Sequence, residues 1–498
     1  MERVSVEPTV LLDRVCGVPL TAQLSGQLRE AVRQGRIGAG DRLPSTRAFA
    51  TALGVSRTVV TDAYAQLYAE GWLEGRRGSG TFIAAGTGSA GSVGAAGCRG
   101  TAGAGMLATS PITAVGATGL GGGASRPRLR ACTDSQVIDL QPGVPWAADI
   151  DRAAWRRAWR RAGAAELDPT PQPVADPGGL PELRAALTGY LRRSRGVSAS
   201  PADIIVTRGI GNGLDLIAAA LLRPGDTAGI EEPGWPAARS ILAARGARLV
   251  PCPVDDLGLV VEALPAGLRL IHTTPAHQTP LGGRLPVPRR QALLGWARRT
   301  GALIVEDDYD SEFRYDVAPL PALHSLDPGV VAYLGTTAKT LTPELGVGWL
   351  VASRHLLDLV TETRLSLADR TATVVQRATA SLIEDGHLER HVRRMRHVYA
   401  RRRSVITGIL AALPPPARLL GDTAGIHVVL ELPAAAATAA AEMARGSGVA
   451  VATLDRYLSA GAAHPLHGLV IGYGGATLPQ VRKGCEILRD IVEQLVGS

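Results

Sequence analysis

The chain has 498 residues, of which 46% are apolar and 20% are charged, a balance that argues against wholesale disorder and suggests two to four domains. No run of about 18 strongly apolar residues occurs, which excludes a transmembrane helix. The N-terminus lacks the apolar stretch of a secretion signal, so we expect a cytoplasmic protein with no membrane partner. Five scattered cysteines without Cys-x-x-Cys spacing predict neither a disulfide framework nor a zinc site, and no metal site is predicted.

The basic residues are unusually uneven in type. The net charge of +8 permits a nucleic-acid partner without establishing one, because many basic enzymes bind no DNA. Nearly all of the 53 basic residues are arginine, and the lysines are Lys339 and Lys483. An arginine guanidinium keeps its proton in proteins, whereas a lysine amine can act as a nucleophile. Lys339 lies inside an interior motif and is therefore a candidate for chemistry, with chance as the alternative.

Residues 1–84 show helical periodicity. Residues 19–35 carry an apolar residue at every fourth position and end in a glycine, which predicts an amphipathic helix. Ser45 can cap a second helix that ends at Gly54, and Ser56 can cap a third. Two short helices joined by a glycine-containing turn predict a helix-turn-helix unit.

A wing is predicted directly after the third helix. Two short strands flank a basic, glycine-rich tip at residues 75–80. The first residues of a recognition helix enter the major groove, and its free N–H groups face phosphates, while a basic tip reaches the backbone or the groove edges. The alternative is a small helical interaction module. The predicted DNA contacts are Ser45, Thr46, Arg47, Ser56, Arg57, Thr58, Arg77 and Gly78.

Two further regions follow this unit. Residues 85–134 begin with an almost unbroken run of small residues (Gly, Ala, Ser, Thr), which predicts a flexible linker. From residue 135 to residue 498, short β-rich runs at 203–207, 267–275, 302–307 and 330–336 alternate with helical stretches. This alternation predicts an α/β domain with a mainly parallel sheet.

The segment LPSTRAFATALGVSRTVVTDAYAQLYAEGWL (43–73) resembles the winged helix-turn-helix domain of the GntR superfamily almost end to end. The C-terminal region resembles fold-type I aminotransferases, and the order of the two regions is similar to that of the MocR (GabR-type) subfamily of transcription regulators. The resemblance covers residues of about 15–84 and 137–495. It implies a fold-type I aminotransferase-like domain, with a smaller C-terminal α+β subdomain at about 375–498 and the cofactor pyridoxal 5′-phosphate.

Two side chains carry most of the implied cofactor chemistry. Asp307 ends the strand at 302–307, where a buried carboxylate needs a cation, and a protonated pyridine nitrogen would supply one. Lys339 lies in a loop after the strand at 330–336, where its amine would form an internal aldimine with the cofactor aldehyde. The alternatives are a solvated acidic loop and a surface lysine.

The resemblance assigns further cofactor contacts. Tyr309 would hydrogen-bond the ring hydroxyl, His277 would lie beside that hydroxyl, and Trp235 would stack on the ring. Backbone N–H groups of the glycine-rich turn would cradle the phosphate, with help from Thr336. The turn consists of Gly209, Ile210 and Gly211.

The chain also departs from its relatives. Gly346 replaces an arginine, Ala338 replaces a serine and Val174 replaces a tyrosine, and several of these losses fall on phosphate recognition. Arg208 is a candidate replacement. Residues 469–475 contain no arginine for a substrate carboxylate, and Arg456 is a candidate by its position. The basic run at 390–403 is interpreted as a solvated, partly salt-bridged helix face rather than as a nucleic-acid contact.

Three functions remain open from the sequence. The first is a transcription regulator that binds double-stranded promoter DNA as a homodimer and senses pyridoxal phosphate, with an amine or amino acid as effector. The second is a working aminotransferase with a DNA-binding appendage, so enzymatic turnover stays undecided. The third is a regulator whose aminotransferase-like domain has lost the cofactor and only dimerises.

Overall fold

The computed structural model describes residues 8, 10–14, 18–76, 80–84, 137–164, 176–316, 320–421, 423–460 and 466–496. The linker predicted at 85–134 lies outside the described residues. So do Arg77 and Gly78 of the predicted wing tip, and Val174. None of the described helices is long and apolar enough to cross a membrane.

The N-terminal unit contains the predicted helix-turn-helix and wing. Its elements are α1 (Leu20–Arg33), α2 (Thr46–Leu53), α3 (Arg57–Glu70) and the antiparallel pair β1 (Leu73–Arg76) and β2 (Gly80–Ile83). The predicted caps are confirmed, because the hydroxyl of Ser45 accepts the N–H of Ala48 and that of Ser56 accepts the N–H of Val59. Gly54 ends α2 in the left-handed region with φ +62°, which favours glycine.

An eight-stranded sheet forms the centre of the large region, in the order β4-β11-β10-β9-β8-β5-β6-β7. The pairs from β6 through β10 are parallel, whereas β11 is antiparallel to both of its neighbours and β7 is antiparallel to β6. The predicted mainly parallel α/β sheet is therefore confirmed. The strands are β4 (Ile204–Thr207), β5 (Thr227–Glu232), β6 (Arg248–Asp255), β7 (Gly258–Leu259), β8 (Leu270–Thr273), β9 (Leu303–Asp308), β10 (Val331–Thr336) and β11 (Gly348–Val351).

Helices flank this sheet and complete the layered architecture. The interior strands β8, β10 and β11 are buried along their whole length, as expected for a sheet covered on both faces. The helices of this part are α4 (Arg152–Gly163), α5 (Pro181–Arg195), α6 (Ile210–Leu221), α7 (Pro236–Ala244), α8 (Val287–Thr300) and α9 (Arg354–Ser366).

The C-terminal part is a smaller α+β unit. A four-stranded antiparallel sheet in the order β12-β13-β16-β15 packs with α12 and α13, while the short strand β3 (Ile138–Asp139) pairs in parallel with β14. The elements are α10 (Thr373–Glu384), α11 (His387–Leu410), β12 (Arg418–Leu420), β13 (His427–Glu431), α12 (Ala434–Gly446), β14 (Val449–Ala450), β15 (Ala452–Thr453), β16 (Gly468–Gly472) and α13 (Leu478–Val496).

The basic run at 390–403 lies on α11 and is only partly the expected solvated face, because Arg390, Arg393, Arg394 and Arg401 are exposed whereas Arg396 and Arg402 turn into the domain. Arg402 is buried and donates to the carbonyl oxygens of Tyr473 and Gly474, and its guanidinium stacks over Trp146. Arg396 donates to the carbonyl of Glu312. These arginines tie α11 to the rest of its own domain, because a buried guanidinium needs acceptors.

The N-terminal unit packs directly on the large region. Val287, the first residue of α8, is buried in the same apolar cluster as Leu28, Leu67 and Trp72. A side-chain carbon at Gly71 would lie 3.2 Å from the Cβ atom of Pro286. The contact surface therefore joins the end of α3 to the segment that precedes α8.

Candidate functional site

A cavity of about 260 Å³ opens at the carboxyl ends of β9 and β10 and at the start of α6. In a sheet with parallel strands, loops at this edge converge, which is where such folds bind ligands. The structure brings together eight of the nine predicted cofactor contacts here. The lining residues are Pro142, Gly143, Gly209, Ile210, Gly211, Trp235, Thr279, Asp307, Tyr309, Thr336, Ala338, Lys339, His427 and Tyr457.

Lys339 is partly buried at the cavity wall, which contradicts the alternative of a surface lysine. Its Nζ donates to the carbonyl oxygen of Gly143 at 2.5 Å. Burial lowers the pKa of this amine, and the carboxyl groups of Asp310 and Asp307 oppose that shift. A lowered pKa increases the unprotonated fraction at neutral pH, and the unprotonated amine is the nucleophile.

The acidic run at 306–308 is a buried strand end and not a solvated loop. Glu306 accepts the backbone N–H groups of residues 323 and 324, and Asp308 pairs with the buried Arg195 at 2.5 Å. Side chains alternate along a strand, so Asp307, between these two, points to the opposite face and lines the cavity.

Asp307 has an unused hydrogen-bond acceptor. Its Oδ2 lies 3.1 Å from Nε2 of His272, while its Oδ1 has no hydrogen-bond partner in the part of the chain that the structure describes. Burial raises the pKa of this carboxyl. A buried carboxylate oxygen without a donor is costly, so the site suits a ligand that brings a positively charged N–H group.

His272 is a site residue that the sequence analysis missed. It lies on β8 behind Asp307, and its ring centroid is 6.0 Å from that of Trp235. A histidine within a fully buried strand requires a polar partner, which is a signal that could have identified it.

Tyr309, His277 and Asp310 form a chain of polar contacts. The hydroxyl of Tyr309 lies 2.9 Å from Nδ1 of His277, which is 3.0 Å from Oδ2 of Asp310. Burial and the charge of Asp310 raise the pKa of Tyr309 well above its ordinary value. Among the described residues, His277 is not part of the cavity lining and stands behind Tyr309. A side-chain carbon at Gly425 would lie 2.0 Å from its ring.

His427 takes a place on the cavity wall that no sequence signal predicted. Its Nε2 lies 2.9 Å from the carbonyl oxygen of Pro280, so this nitrogen donates. Burial, helped by the neighbouring His277, lowers the pKa of His427 to about 4, which keeps the ring neutral at physiological pH. Tyr457, Thr279 and Gly143 also reach the cavity from distant parts of the chain.

The glycine-rich turn begins α6 at one end of the cavity. Gly209 is its N-cap, with φ +97° and no side-chain cap. A carbon on Gly348 would lie 2.6 Å from the Cα of Gly209, so β11 and the turn touch through backbone alone. Thr336 lies beside the turn, and a carbon on Gly209 would be 3.9 Å from its hydroxyl.

The residues predicted to contact DNA lie at the starts of α2 and α3. Ser45, Arg47, Ser56, Arg57 and Thr58 are exposed, and Thr46 is half-buried. Within the described residues, neither arginine has a carboxylate within salt-bridge distance. Exposed, unpaired guanidinium groups beside helix N-termini suit phosphate and base contacts.

Sequence comparisons define the class of protein. Residues 20–83 match the family described as bacterial regulatory proteins, gntR family, and residues 142–458 match aminotransferase class I and II. The chain is thus a helix-turn-helix transcription regulator with an aminotransferase-like domain.

The chain belongs to the MocR-type group of GntR regulators. It is 36% identical to the probable rhizopine catabolism regulatory protein MocR of Rhizobium meliloti, over 98% of this chain and 97% of the relative. It is also 36% identical to the pyridoxine biosynthesis regulator PdxR of Corynebacterium glutamicum, over 82% of this chain and 83% of the relative. The regulator TauR of Rhodobacter capsulatus is 35% identical over 78% of this chain and 79% of its own.

Solved structures show the same fold. An archaeal alanine:glyoxylate aminotransferase matches with a TM-score of 0.67 at 24% identity, over 72% of this chain and 91% of its own. The kynurenine aminotransferase of Pyrococcus horikoshii matches with a TM-score of 0.66 at 24% identity, over 73% of this chain and 93% of its own.

Proposed function

We propose that the chain is a transcription regulator that responds to pyridoxal 5′-phosphate, with an amine or amino acid as a further effector. One observation carries this proposal: the amine of Lys339 and the unpartnered oxygen of Asp307 face the same cavity. The chain that holds this cavity also carries a GntR domain. A relative named for pyridoxine biosynthesis supports it, since pyridoxine has the same ring as the cofactor.

The cavity residues fit the ring of the cofactor. Pyridoxal phosphate supplies an aldehyde carbon that condenses with amines and a ring nitrogen that carries positive charge when protonated. Asp307 would accept the hydrogen bond of that nitrogen, with His272 holding the carboxylate in place. Lys339 would hold the aldehyde carbon, and its lowered pKa favours the reactive, unprotonated amine.

The remaining contacts would fix the orientation of the ring. Tyr309 would donate to the ring hydroxyl, with His277 and Asp310 positioning its own hydroxyl from behind. Trp235 would stack on the ring face. The backbone N–H groups in the first turn of α6 would meet the phosphate, and Thr336 lies beside that turn.

One segment connects the cavity with the N-terminal unit. Between β8 and α8, Thr279 lines the cavity and, eight residues on, Val287 is buried against the DNA-binding unit. The segment is held at both ends, because the N–H of Leu285 donates to the carbonyl of Pro275 at 3.0 Å. A ligand that moves Thr279 would therefore move the docking surface.

Arg290 strengthens this connection. It is buried and donates to the carbonyls of Leu285, Pro275 and Pro321. Burial lowers its pKa to about 10, and the carboxyl of Glu306, with a smaller contribution from Glu70 on α3, opposes the shift. Glu70 in turn pairs with Arg29 of α1 at 2.6 Å. Arg290 thus holds the cavity segment through three backbone carbonyl oxygens.

We infer a population shift as the means of regulation. A bound ligand would favour one arrangement of the DNA-binding unit on this surface, and the linker would tolerate both arrangements. In this proposal, residues 1–84 bind DNA, residues 85–134 are the linker and residues 135–498 bind cofactor. A homodimer would present two DNA-binding units to paired half-sites.

The composition of the chain gives a sharp test of cofactor attachment. Lys339 and the exposed Lys483 of α13 are its lysines. The purified chain is mixed with pyridoxal phosphate, reduced with borohydride and mapped by peptide mass spectrometry. We expect the cofactor mass on the peptide of Lys339, a visible absorption band in Lys483→Ala and no band in Lys339→Ala.

Each other outcome has a definite meaning. A band that persists in Lys339→Ala, or no band in the unaltered chain, would overturn the cofactor part of the proposal. Steady conversion of an amino donor to its keto acid, lost in Lys339→Ala, would instead support a working aminotransferase. Retained DNA binding in either variant would show that the fold of the N-terminal unit is intact.

A further inference from the structure

The end of the cavity formed by the glycine-rich turn has little positive charge. Of the residues that line the cavity, Lys339 is the cationic one, and its amine lies at the carbonyl of Gly143. A phosphate monoester carries a charge of about −1.5 to −2 at neutral pH and is bound most strongly by charge-assisted hydrogen bonds. The described lining offers this group no guanidinium.

Thr336 is already engaged by its own loop. Its hydroxyl accepts the N–H of Ala338 at 3.0 Å and lies 3.3 Å from the carbonyl oxygen of Val347, to which it donates. The donors left at this end are backbone N–H groups in the uncapped first turn of α6.

The arginines nearest in the chain point elsewhere. Arg208 precedes the turn, but it is mostly exposed and forms an ion pair with Asp369. Arg364 also pairs with Asp369 and donates to the carbonyls of Pro177 and Val206. Both guanidinium groups are bound outside the cavity.

Open space surrounds Gly346, which lies two residues before the glycine of β11 that touches the turn. Gly346 precedes Val347, which contacts Thr336, and Gly348, which touches Gly209. A side-chain carbon built on Gly346 meets no atom within 4 Å. Its φ of +57° lies in the left-handed region, where a residue with a side chain is strained, so any variant at this position carries that strain.

We propose that this cavity recognises the ring and aldehyde of a pyridoxal-type ligand and gains little from its phosphate. The free aldehyde and its phosphate ester then bind with similar affinity. This inference rests on the proposed function and specifies its ligand class. The ring end of the cavity has the polar groups that a pyridoxal ring and aldehyde require, because the unpartnered oxygen of Asp307 and the amine of Lys339 both face it.

The test compares two probes on the full chain. Pyridoxal and pyridoxal phosphate are titrated separately at fixed salt, and each dissociation constant is read from the visible absorption band. We expect the two constants to agree within about tenfold, because a helix N-terminus contributes modestly to anion binding. A phosphate ester that binds more than about 100-fold more tightly would overturn the inference, whatever the variants below do.

Two substitutions at Gly346 add a gain-of-function arm. Gly346→Arg should tighten binding of the phosphate ester about 10- to 100-fold and leave pyridoxal unchanged, since a guanidinium supplies the missing charge-assisted bonds. Gly346→Met, of similar length and without charge, should change neither constant. An arginine variant that binds pyridoxal normally but gains nothing for the ester would contradict the inference.

A third substitution tests whether Arg208 swings inward. Arg208→Ala should leave the ratio of the two constants unchanged, and a selective loss for the ester would refute our assignment. If neither aldehyde gives a band, the proposed function fails as a whole. A large ratio of the pyridoxal constant to the pyridoxal phosphate constant has a different meaning, because it would support the cofactor function and contradict only this inference.

Discussion

The substitution Asp307→Asn distinguishes the effect of this buried charge on the stability of the ligand-free protein from its effect on cofactor affinity. The carboxylate is 4% exposed, keeps one bond to His272 and leaves Oδ1 unpartnered within the described chain. Asparagine has the same shape and keeps an oxygen for His272, but it removes the buried charge. We therefore expect opposite effects on the ligand-free protein and on cofactor affinity.

The ligand-free variant should be the more stable protein at neutral pH. Neutralising a buried, half-satisfied carboxylate returns about 1 kcal/mol of desolvation free energy, or roughly 1–3 °C in melting temperature for a domain of this size. Because burial raises the pKa of Asp307, its carboxyl stabilises the fold fully below the ordinary pKa of about 3.9. That stability is lost as the pH rises through the raised pKa, and Asp307→Asn should remove this part of the pH dependence.

Cofactor affinity should fall in the same variant. A hydrogen bond between a charged donor and a charged acceptor contributes about 1.5–3 kcal/mol. Its loss should therefore raise the dissociation constant for pyridoxal phosphate roughly 10- to 150-fold. Thermal denaturation without ligand and absorbance titration with it measure the two effects. A variant that loses stability without ligand, or that binds the cofactor as tightly as before, would refute this account of Asp307.

Two further predictions concern the DNA-binding unit. Arg57→Ala should weaken DNA binding and reduce the steepness of the plot of log affinity against log salt concentration by about 1, without changing cofactor affinity. A DNA mobility shift assay across a salt series measures this slope. An unchanged slope would exclude Arg57 from the phosphate contacts. Val287→Asp should uncouple the cofactor cavity from the DNA-binding unit, because it places a charge against the apolar cluster of that unit. An acidic residue in the first turn of α8 does not destabilise the helix itself. The effect of cofactor on DNA affinity should disappear while the cofactor dissociation constant stays the same, whereas Val374→Asp, at an exposed valine in the first turn of α10, should behave as the unaltered chain.

Local patterns in the sequence predicted the elements that position the site. The caps Ser45 and Ser56 act through neighbouring backbone groups, and the apolar runs before Asp307 and Lys339 lie within β9 and β10. Motifs of this kind are local, because the residues that define them lie within a few positions of one another.

Other parts of the site could not be predicted from the sequence, because they depend on contacts between segments that are distant in the chain. His427 and Tyr457 reach the cavity from the C-terminal part, and Gly143 comes from the start of the large region. His277, expected beside the ring hydroxyl, packs against Gly425 and stands behind Tyr309. Arg208 was a candidate for the phosphate, yet Asp369, 161 residues later in the chain, holds its guanidinium. Such pairings arise from the tertiary fold and leave no periodic signal.

The most direct measurement is the affinity for DNA with and without pyridoxal phosphate. DNA fragments that the protein itself selects from a random pool serve as probes, and the unaltered chain is compared with Lys339→Ala at one salt concentration. We expect saturating cofactor to change the DNA dissociation constant of the unaltered chain severalfold or more. The midpoint of this change should fall at the dissociation constant of the cofactor itself, and the DNA dissociation constant of Lys339→Ala should not change. Equal shifts in both proteins, or no shift in either while the cofactor is bound, would contradict the claim that the occupied cavity controls DNA binding.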